Sequence, residues 1–243
     1  MLLSRLHPIE EAIRSRPREI EWVLLDSARR DRRIQELRRQ CREASVPVRY
    51  GDARALARVA GPRHQGAVAR LAARGYVGEA EAVQGPAGRR FLLLLDEIQD
   101  PQNLGAVLRV AEAVGATVVV PERGSAPLSE AVARSSAGAV ERVPVARVPN
   151  LRRFVDHLKN EGFRVVGLDP AGPPIFRVAL TGDLALVLGA EGRGIRRLVR
   201  EGCDDLASLP MKGAVGSLNV SAAAAAACYE ALRQREVSPN ESA

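Results

Sequence analysis

The most regular hydrophobic pattern lies in the second half of the chain, from Phe91 onward. Short runs of consecutive apolar residues alternate there with segments of helical periodicity. The runs, each predicted to be a strand, are residues 91–95, 117–120, 143–146, 163–168, 184–188 and 206–209. Near-continuous apolar strands joined by helical crossovers are typical of a parallel sheet covered on both faces. The pattern therefore predicts an α/β fold with a parallel sheet for this part.

The first 71 residues follow a different, shorter alternation. Helical patterns cover residues 8–14 and 29–42, strand patterns cover 20–25, 46–50 and 67–69, and Asp52 is placed to cap another short helix. This indicates a small α/β domain. The Gly- and Pro-containing stretch after it has linker composition. We therefore expect an N-terminal domain over residues 1–74, a linker over 75–89 and a second domain over 90–243.

The composition is sufficient for a hydrophobic core, and the charge distribution indicates a nucleic-acid partner. The chain has 243 residues, enough for one or two domains, and apolar residues make up 46% of it although aromatic residues make up only 3%. Residues 1–75 contain 17 Lys and Arg against 9 Asp and Glu, whereas the remainder contains 19 against 20. An arginine-rich surface suits phosphate backbones, so nucleic-acid contact is predicted for this domain. A solvated helix face in an arginine-preferring composition is the alternative. The arginines concerned include Arg29, Arg30, Arg32, Arg33, Arg38, Arg39 and Arg42.

Cysteine and histidine usage argues against metal centres and secretion. Cys41, Cys203 and Cys228 are odd in number and share no metal-like spacing, and the three histidines are scattered. No signal-peptide pattern or bilayer-length apolar run is present. We expect a cytoplasmic protein with no metal and no membrane partner.

Three segments stand at predicted strand ends, where open α/β sheets bind ligands. The first follows residues 91–95 and contains Asn103, in a helix N-cap position, and Arg109, which faces away from the apolar stripe of its helix. Capping would explain Asn103 and solvation would explain Arg109.

The second segment is a Gly-rich turn, Gly189-Ala190-Glu191-Gly192-Arg193-Gly194, directly after a strand. Its glycines lack the dinucleotide-binding spacing and no Walker lysine follows. Such a turn lets backbone amides approach a ligand closely, although a generic turn is the simpler explanation. Glu191 favours a functional role, since a carboxylate among glycines has few structural tasks.

The third segment runs from Leu209-Pro210-Met211 through Ser217-Leu218-Asn219 into a helix that starts with six consecutive alanines. Ser217 or Asn219 could cap that helix. A helix with such small side chains can approach another backbone closely, and this would hold the polar loop before it in place.

Taken in order, these segments resemble the three signature motifs of the SpoU/TrmH branch of the SPOUT methyltransferase superfamily. The matching residues are Asn103-Leu104-Gly105 with Arg109, Gly189-Ala190-Glu191-Gly192 with Gly194, and Leu209-Pro210-Met211 with Ser217-Leu218-Asn219-Val220-Ser221. The N-terminal domain is similar to the ribosomal-protein-like RNA-binding extension of this family, at residues 7–12 and at His64-Gln65-Gly66. Leu209 departs from the usual isoleucine. The two-domain arrangement looks most like enzymes that methylate a guanosine ribose in large-subunit ribosomal RNA.

The resemblance implies a fold, a cofactor and a set of site residues. The fold would contain a deep trefoil knot, which is too rare to be expected otherwise, and the protein would be a homodimer. The reaction would be methyl transfer from S-adenosylmethionine to an RNA ribose 2′-hydroxyl. Gly189, Gly192, Leu209, Met211 and Leu218 would bind the cofactor. The catalytic group would comprise Asn103, Arg109, Glu191, Ser217 and Asn219.

Two alternatives remain open at this point. The same chemistry could act on transfer RNA or on another ribosomal nucleotide, and nothing in the motifs separates these substrates. A protein of another class, a non-catalytic RNA-binding factor in ribosome assembly, would be expected to have lost residues such as Arg109, Glu191 or Asn219. All of these are present.

Overall fold

A computed structural model describes residues 2–62, 64–71, 76–213 and 216–237. Its strands are β1 (Leu2–Leu3), β2 (Ile20–Asp26), β3 (Val48–Gly51), β4 (Ala67–Leu71), β5 (Phe91–Asp96), β6 (Thr117–Pro121), β7 (Val145–Val148), β8 (Arg164–Leu168), β9 (Leu184–Gly189) and β10 (Asp205–Ala207). Its α-helices are α1 (Leu6–Ser15), α2 (Arg32–Glu43), α3 (Ala53–Ala60), α4 (Glu79–Ala82), α5 (Pro101–Val114), α6 (Glu130–Ser135), α7 (Leu151–Asn160), α8 (Arg197–Gly202) and α9 (Val220–Val237). The predicted α/β class is confirmed.

The chain forms two compact units. Unit 1 comprises Met1–Gly75 together with Pro127–Arg142, and unit 2 comprises Tyr76–Ala126 and Val143–Ala243. Unit 1 therefore contains a segment that lies far from its other residues in the sequence. None of the described helices has the length and hydropathy needed to span a bilayer.

The sheet of unit 1 has the order β1-β4-β2-β3. Strand β2 is parallel to β3 and antiparallel to β4. The predicted helix over residues 29–42 begins only at Arg32, because the carboxylate of Asp31 accepts the backbone N–H of Ile34 and so caps α2. Asp52 caps α3 as predicted, accepting from the N–H of Ala55 at 2.7 Å.

The segment Pro127–Arg142 joins unit 1 through both apolar and charged contacts. Val132 and Val140 are fully buried. Arg142 pairs with Glu11 of α1 at 2.5 Å, and the buried Glu141 carboxylate pairs with Arg16. Sequence periodicity near this segment gave no sign of which core it would enter, because burial of a few small apolar residues is possible in either.

The sheet of unit 2 has six strands in the described residues, in the order β10-β8-β9-β5-β6-β7, and every pairing is parallel. All six predicted strands are confirmed, with ends shifted by one or two residues. Strands β5 and β9 lie side by side, with Asp96 opposite Gly189. The carboxyl ends of the central strands therefore open toward one edge, where the three motifs begin.

Helices close both faces of this sheet. Leu92, Leu94 and Phe154 belong to the buried cluster on one face, where Ala82 of α4 also packs. Helix α9 packs against α5. Ala224, Ala227, Cys228 and Ala231 of α9 are fully buried at a helical spacing, so the alanine-rich face makes close contact between helices possible. The trefoil knot that the resemblance implies stays a prediction.

Candidate active site

A cavity of about 510 Å³ lies at the carboxyl ends of β8, β9 and β10. The residues predicted to bind the cofactor all line it: Gly189, Gly192, Leu209, Met211 and Leu218. Glu191 and Ser217, predicted for catalysis, line it as well. Both the Gly-rich turn and the bend before α9 thus face one space.

The Gly-rich turn folds back on itself. The N–H of Gly194 donates to the carbonyl of Ala190 at 2.8 Å, and these two residues form an isolated antiparallel bridge. Gly192 and Gly194 have φ of 77° and 66°, a region that favours glycine. A Cβ on Gly189 would lie 2.0 Å from the carbonyl carbon of Gly194. Only glycine permits this backbone-on-backbone approach.

An ion pair between a buried carboxylate and a half-exposed guanidinium holds the far end of the same turn. The side chain of Asp96, at the end of β5, is fully buried and accepts the backbone N–H of Arg196 at 2.7 Å and its Nε–H at 2.8 Å. The hydrogen bonds to the Asp96 carboxylate raise the pKa of the Arg196 guanidinium. Residues 189–196 are thereby anchored to the neighbouring strand.

Three polar side chains from the three motifs meet beside the cavity. The amide of Asn219 donates to the side-chain oxygen of Asn103 at 2.9 Å and also to Glu191 Oε1. The amide of Asn103 donates to the same Glu191 oxygen at 3.3 Å. Residues separated by 88 and 116 positions in the sequence thus form one hydrogen-bonded group.

The caps of α5 and α9 set the positions of Asn103 and Asn219. The N-cap expected of Asn103 was wrong: Asp100 caps α5 by accepting from the N–H of Gln102, and Pro101 occupies the first turn. Asn103 therefore lies inside the helix with its amide available. Asn219 does cap α9, since its side-chain oxygen accepts from the N–H of Ser221 at 2.9 Å.

Arg109 stands apart from this group. It lies on the exposed side of α5, six residues after Asn103. Among the residues that the structure describes it has neither a hydrogen bond nor an ion pair, and it lines neither the large cavity nor its smaller neighbour.

A second cavity of about 260 Å³ adjoins the first and shares Ala190, Glu191, Arg193 and Val220 with it. Glu97, Gln99, Asp100 and Asn103 line its other side. The sequence interpretation missed this recess, and it also missed Leu168, Asp169 and Pro170, which line the larger cavity after β8. The strand-end rule that located the three motifs would have indicated the end of β8 as well. No cluster of His, Cys, Asp and Glu suited to a metal occurs within the described ranges.

Comparison with known sequences agrees with the motif assignment. The SpoU rRNA Methylase family profile matches residues 90–229, and the profile described as RNA 2′-O ribose methyltransferase substrate binding matches residues 6–77. The chain belongs to the SpoU rRNA methylase family. The matched ranges contain the three motifs and most of the first 75 residues.

Relatives that match along most of their length, and one solved structure, support the same family assignment. The chain is 42% identical over 242 residues to the 23S rRNA (guanosine-2′-O-)-methyltransferase RlmB of Ralstonia nicotianae, covering 98% of this chain and 97% of that protein. It is 43% identical to the RlmB of Xanthomonas campestris, covering 89% of each. The crystal structure of the SpoU methyltransferase AviRb from Streptomyces viridochromogenes, in complex with AdoMet, superposes with a TM-score of 0.84 at 26% identity. That match covers 98% of this chain and 91% of AviRb.

Proposed function

We propose that this protein transfers a methyl group from S-adenosylmethionine to a ribose 2′-hydroxyl of RNA, at a guanosine of 23S ribosomal RNA. The hydrogen-bonded group of Asn103, Glu191 and Asn219 carries the proposal. Glu191 lines both cavities, so this group separates a space for the cofactor from a space for the reacting nucleotide.

The larger cavity fits the cofactor in size and lining. A volume of about 510 Å³ is within the usual range for small-molecule sites. Leu209, Met211 and Leu218 offer apolar surface to an adenine, and the backbone of the Gly-rich turn offers hydrogen-bonding groups at close range. When bound, S-adenosylmethionine supplies an activated methyl group, so the protein has to orient the acceptor and exclude competing water.

The side chains have separable roles in this proposal. Asn103, Glu191 and Asn219 hold the ribose so that its 2′-oxygen approaches the methyl group in line. Ser217, on the cavity wall, assists in this orientation. Arg109 lines neither cavity, so in this proposal its guanidinium clamps an RNA phosphate outside them. Arg109 is exposed and has no hydrogen-bond or ion-pair partner among the described residues, so its guanidinium is free for such a contact.

The extent to which known RNA methyltransferases match this chain favours ribosomal RNA as the substrate. Relatives named as 23S rRNA methyltransferases match along nearly the whole chain, N-terminal unit included. The solved A. aeolicus TrmH/SpoU tRNA modifying enzyme covers only 61% of this chain. If unit 1 holds the RNA, this protein resembles the 23S rRNA methyltransferases more than the tRNA enzyme. Transfer RNA and other ribosomal sites are the competing substrates.

Dimerisation and localisation complete the proposal. We place the active protein in the cytoplasm as a homodimer. Tyr229 on α9 and Phe176, in a 3₁₀ turn that packs on α9, are each more than half exposed, and an interface between two copies would bury both. Sedimentation equilibrium tests this: a monomer at micromolar concentration contradicts it.

Methyl transfer itself tests the central proposal. The full chain is incubated with methyl-tritiated S-adenosylmethionine and separate unmodified transcripts of 23S rRNA, 16S rRNA and transfer RNAs. Label is expected in 23S rRNA alone, at one guanosine whose 3′ phosphodiester resists alkaline cleavage. Label in transfer RNA would redirect the substrate, and binding of RNA without any transfer would favour the non-catalytic assembly factor.

A further inference from the structure

Unit 1 contains a concave basic surface that the proposed active site does not use. A cavity of about 600 Å³ opens between α2, β3 and the loop that follows β2. Five arginines and a single acidic residue line it, together with one aromatic side chain. They are Arg29, Arg30, Arg38, Arg39, Arg42, Asp26 and Tyr50. We call this surface the arginine pocket.

Much of the positive charge in the arginine pocket is uncompensated. Arg29 pairs with Asp31 at 2.8 Å, and Arg39 pairs with Glu36 and Glu43 at 2.6 Å each. The three remaining arginines, Arg30, Arg38 and Arg42, have no carboxylate partner among the described residues.

The acidic residue of the pocket does not balance these charges. The Asp26 carboxylate accepts the backbone N–H of Ala28 at 3.0 Å and is nearly buried. A concave surface with this charge excess attracts an anion.

The aromatic side chain makes the arginine pocket more than a charged patch. Tyr50 is the one aromatic residue among those that line the pocket, and it is 53% exposed. It lies on the edge strand β3. The Arg38 guanidinium is 5.3 Å from the centre of its ring. Exposed aromatic rings beside unpaired arginines are what proteins use to stack unpaired bases and hold the adjoining phosphates.

We infer that the arginine pocket binds an unpaired nucleotide segment of the substrate RNA. Tyr50 stacks on a base, Arg38 supports the ring and contacts the backbone, and Arg30 and Arg42 hold the flanking phosphates. The inference rests on the proposed function, since it assumes that RNA is the substrate. It adds that single-stranded rather than helical RNA is gripped here, because a base inside a duplex exposes no face to the ring.

Substitution of the aromatic side chain tests the stacking. Binding of the full chain to a labelled RNA hairpin with an unpaired loop is measured by fluorescence anisotropy, beside a perfect RNA duplex. Tyr50→Ala is expected to weaken hairpin binding about ten-fold or more and duplex binding less than three-fold, and Tyr50→Phe is expected to bind like the wild type. Tyr50→Thr also removes the ring but favours a strand, so it guards against a local folding defect.

Charge-matched variants test the phosphate contacts. Arg30→Gln with Arg42→Gln is expected to reduce the slope of log affinity against log salt by about 1.4, since each single-strand phosphate contact contributes about 0.7. The control is Arg54→Gln with Arg58→Gln. These two exposed arginines of α3 also have no carboxylate partner in the described chain, and they lie outside the pocket. The control should leave the slope nearly unchanged.

Two results would overturn the inference. One is equal loss of hairpin and duplex affinity in Tyr50→Ala and Tyr50→Thr, or no loss in either. The other is an equal change of slope in the pocket pair and the control pair. Anisotropy needs no cofactor, whereas the tritium assay reports transfer, so the two proposals fail separately. If the wild-type protein transfers the methyl group but the Tyr50 variants bind RNA as the wild type does, only the inference about the arginine pocket fails.

Discussion

The side-chain amide of Asn219 donates a 2.9 Å hydrogen bond to Asn103, while the oxygen of the same Asn219 side chain accepts the backbone N–H of Ser221. One end of the group caps α9, and the other end joins the polar cluster around Glu191. The geometry of the site is therefore tied to the start of a helix.

Asn219→Asp should separate these two functions. Aspartate caps a helix as well as asparagine does, so the cap of α9 should be kept, and any loss in the free energy of unfolding should come only from the altered contacts with Asn103 and Glu191. It cannot donate to Asn103, and it would place a second carboxylate beside Glu191, so kcat should fall about a hundred-fold or more. Asn219→Ala should lose the activity and also about 1 kcal/mol of stability. Full turnover in Asn219→Asp would contradict a role for the donor.

Arg109→Lys tests whether the planar guanidinium is needed. Lysine keeps the charge but not the paired donors that match a phosphate, so kcat/KM for RNA should fall about ten-fold or more. Cofactor affinity, measured by calorimetry, should not change, because Arg109 does not line the cofactor cavity. Arg153→Lys, on the exposed face of α7, is the matched control. Near-complete retention of turnover by Arg109→Lys would contradict the proposed role.

Gly189→Ala should abolish cofactor binding. The added methyl group would lie 2.0 Å from backbone atoms of Gly194, so the turn cannot close as it does in the native chain. Gly213→Ala is the control, since a Cβ there has open space and Gly213 does not line the cavity. Calorimetric titration with S-adenosylmethionine distinguishes them. Equal affinity in both variants would mean that the close approach is dispensable.

Arg196→Met should destabilise the protein because the buried Asp96 carboxylate loses the guanidinium that pairs with it. The Asp96 side chain is fully buried, whereas 45% of the Arg196 side chain is exposed and solvent screens the pair, so losing the guanidinium should cost about 1–2 kcal/mol. The adjacent Arg197 pairs with Glu201 on the surface, with 76% of its side chain exposed. Arg197→Met should therefore cost less than about 1 kcal/mol. Urea denaturation measures both, and equal losses would argue against the burial effect.

The three cysteines should resist alkylation in the folded protein. Burial raises the pKa of the thiols of Cys41 and Cys203 to about 11 and that of Cys228 to about 12, and the reactive thiolate is therefore scarce at pH 8. Iodoacetamide should label them only after unfolding in urea, as detected by mass spectrometry. Since unfolding returns the pKa of each thiol to its ordinary value of 9.0, the free energy of unfolding should decline as the pH rises from about 9 toward 12. Rapid labelling of native protein at pH 8 would contradict this burial.

Local signals located most elements of the fold correctly. The apolar runs identified every strand of the parallel sheet, and the acidic cap at Asp52 marked the start of α3. They failed where two caps competed: Asp100 followed by Pro101 starts α5 before Asn103 does. Capping depends on a few adjacent residues, so a neighbouring cap changes the outcome without changing the pattern.

The sequence by itself determined the class of fold, the basic character of the first unit and the three motifs with their residue types, because periodicity, charge and motif spacing are properties of the chain alone. Only the tertiary structure decided that Asn103, Glu191 and Asn219 share hydrogen bonds, that Arg109 stands apart, and that residues 127–142 join unit 1. Those relations depend on the order and register of strands far apart in sequence. Burial selects that order across the whole core, and no local pattern encodes it.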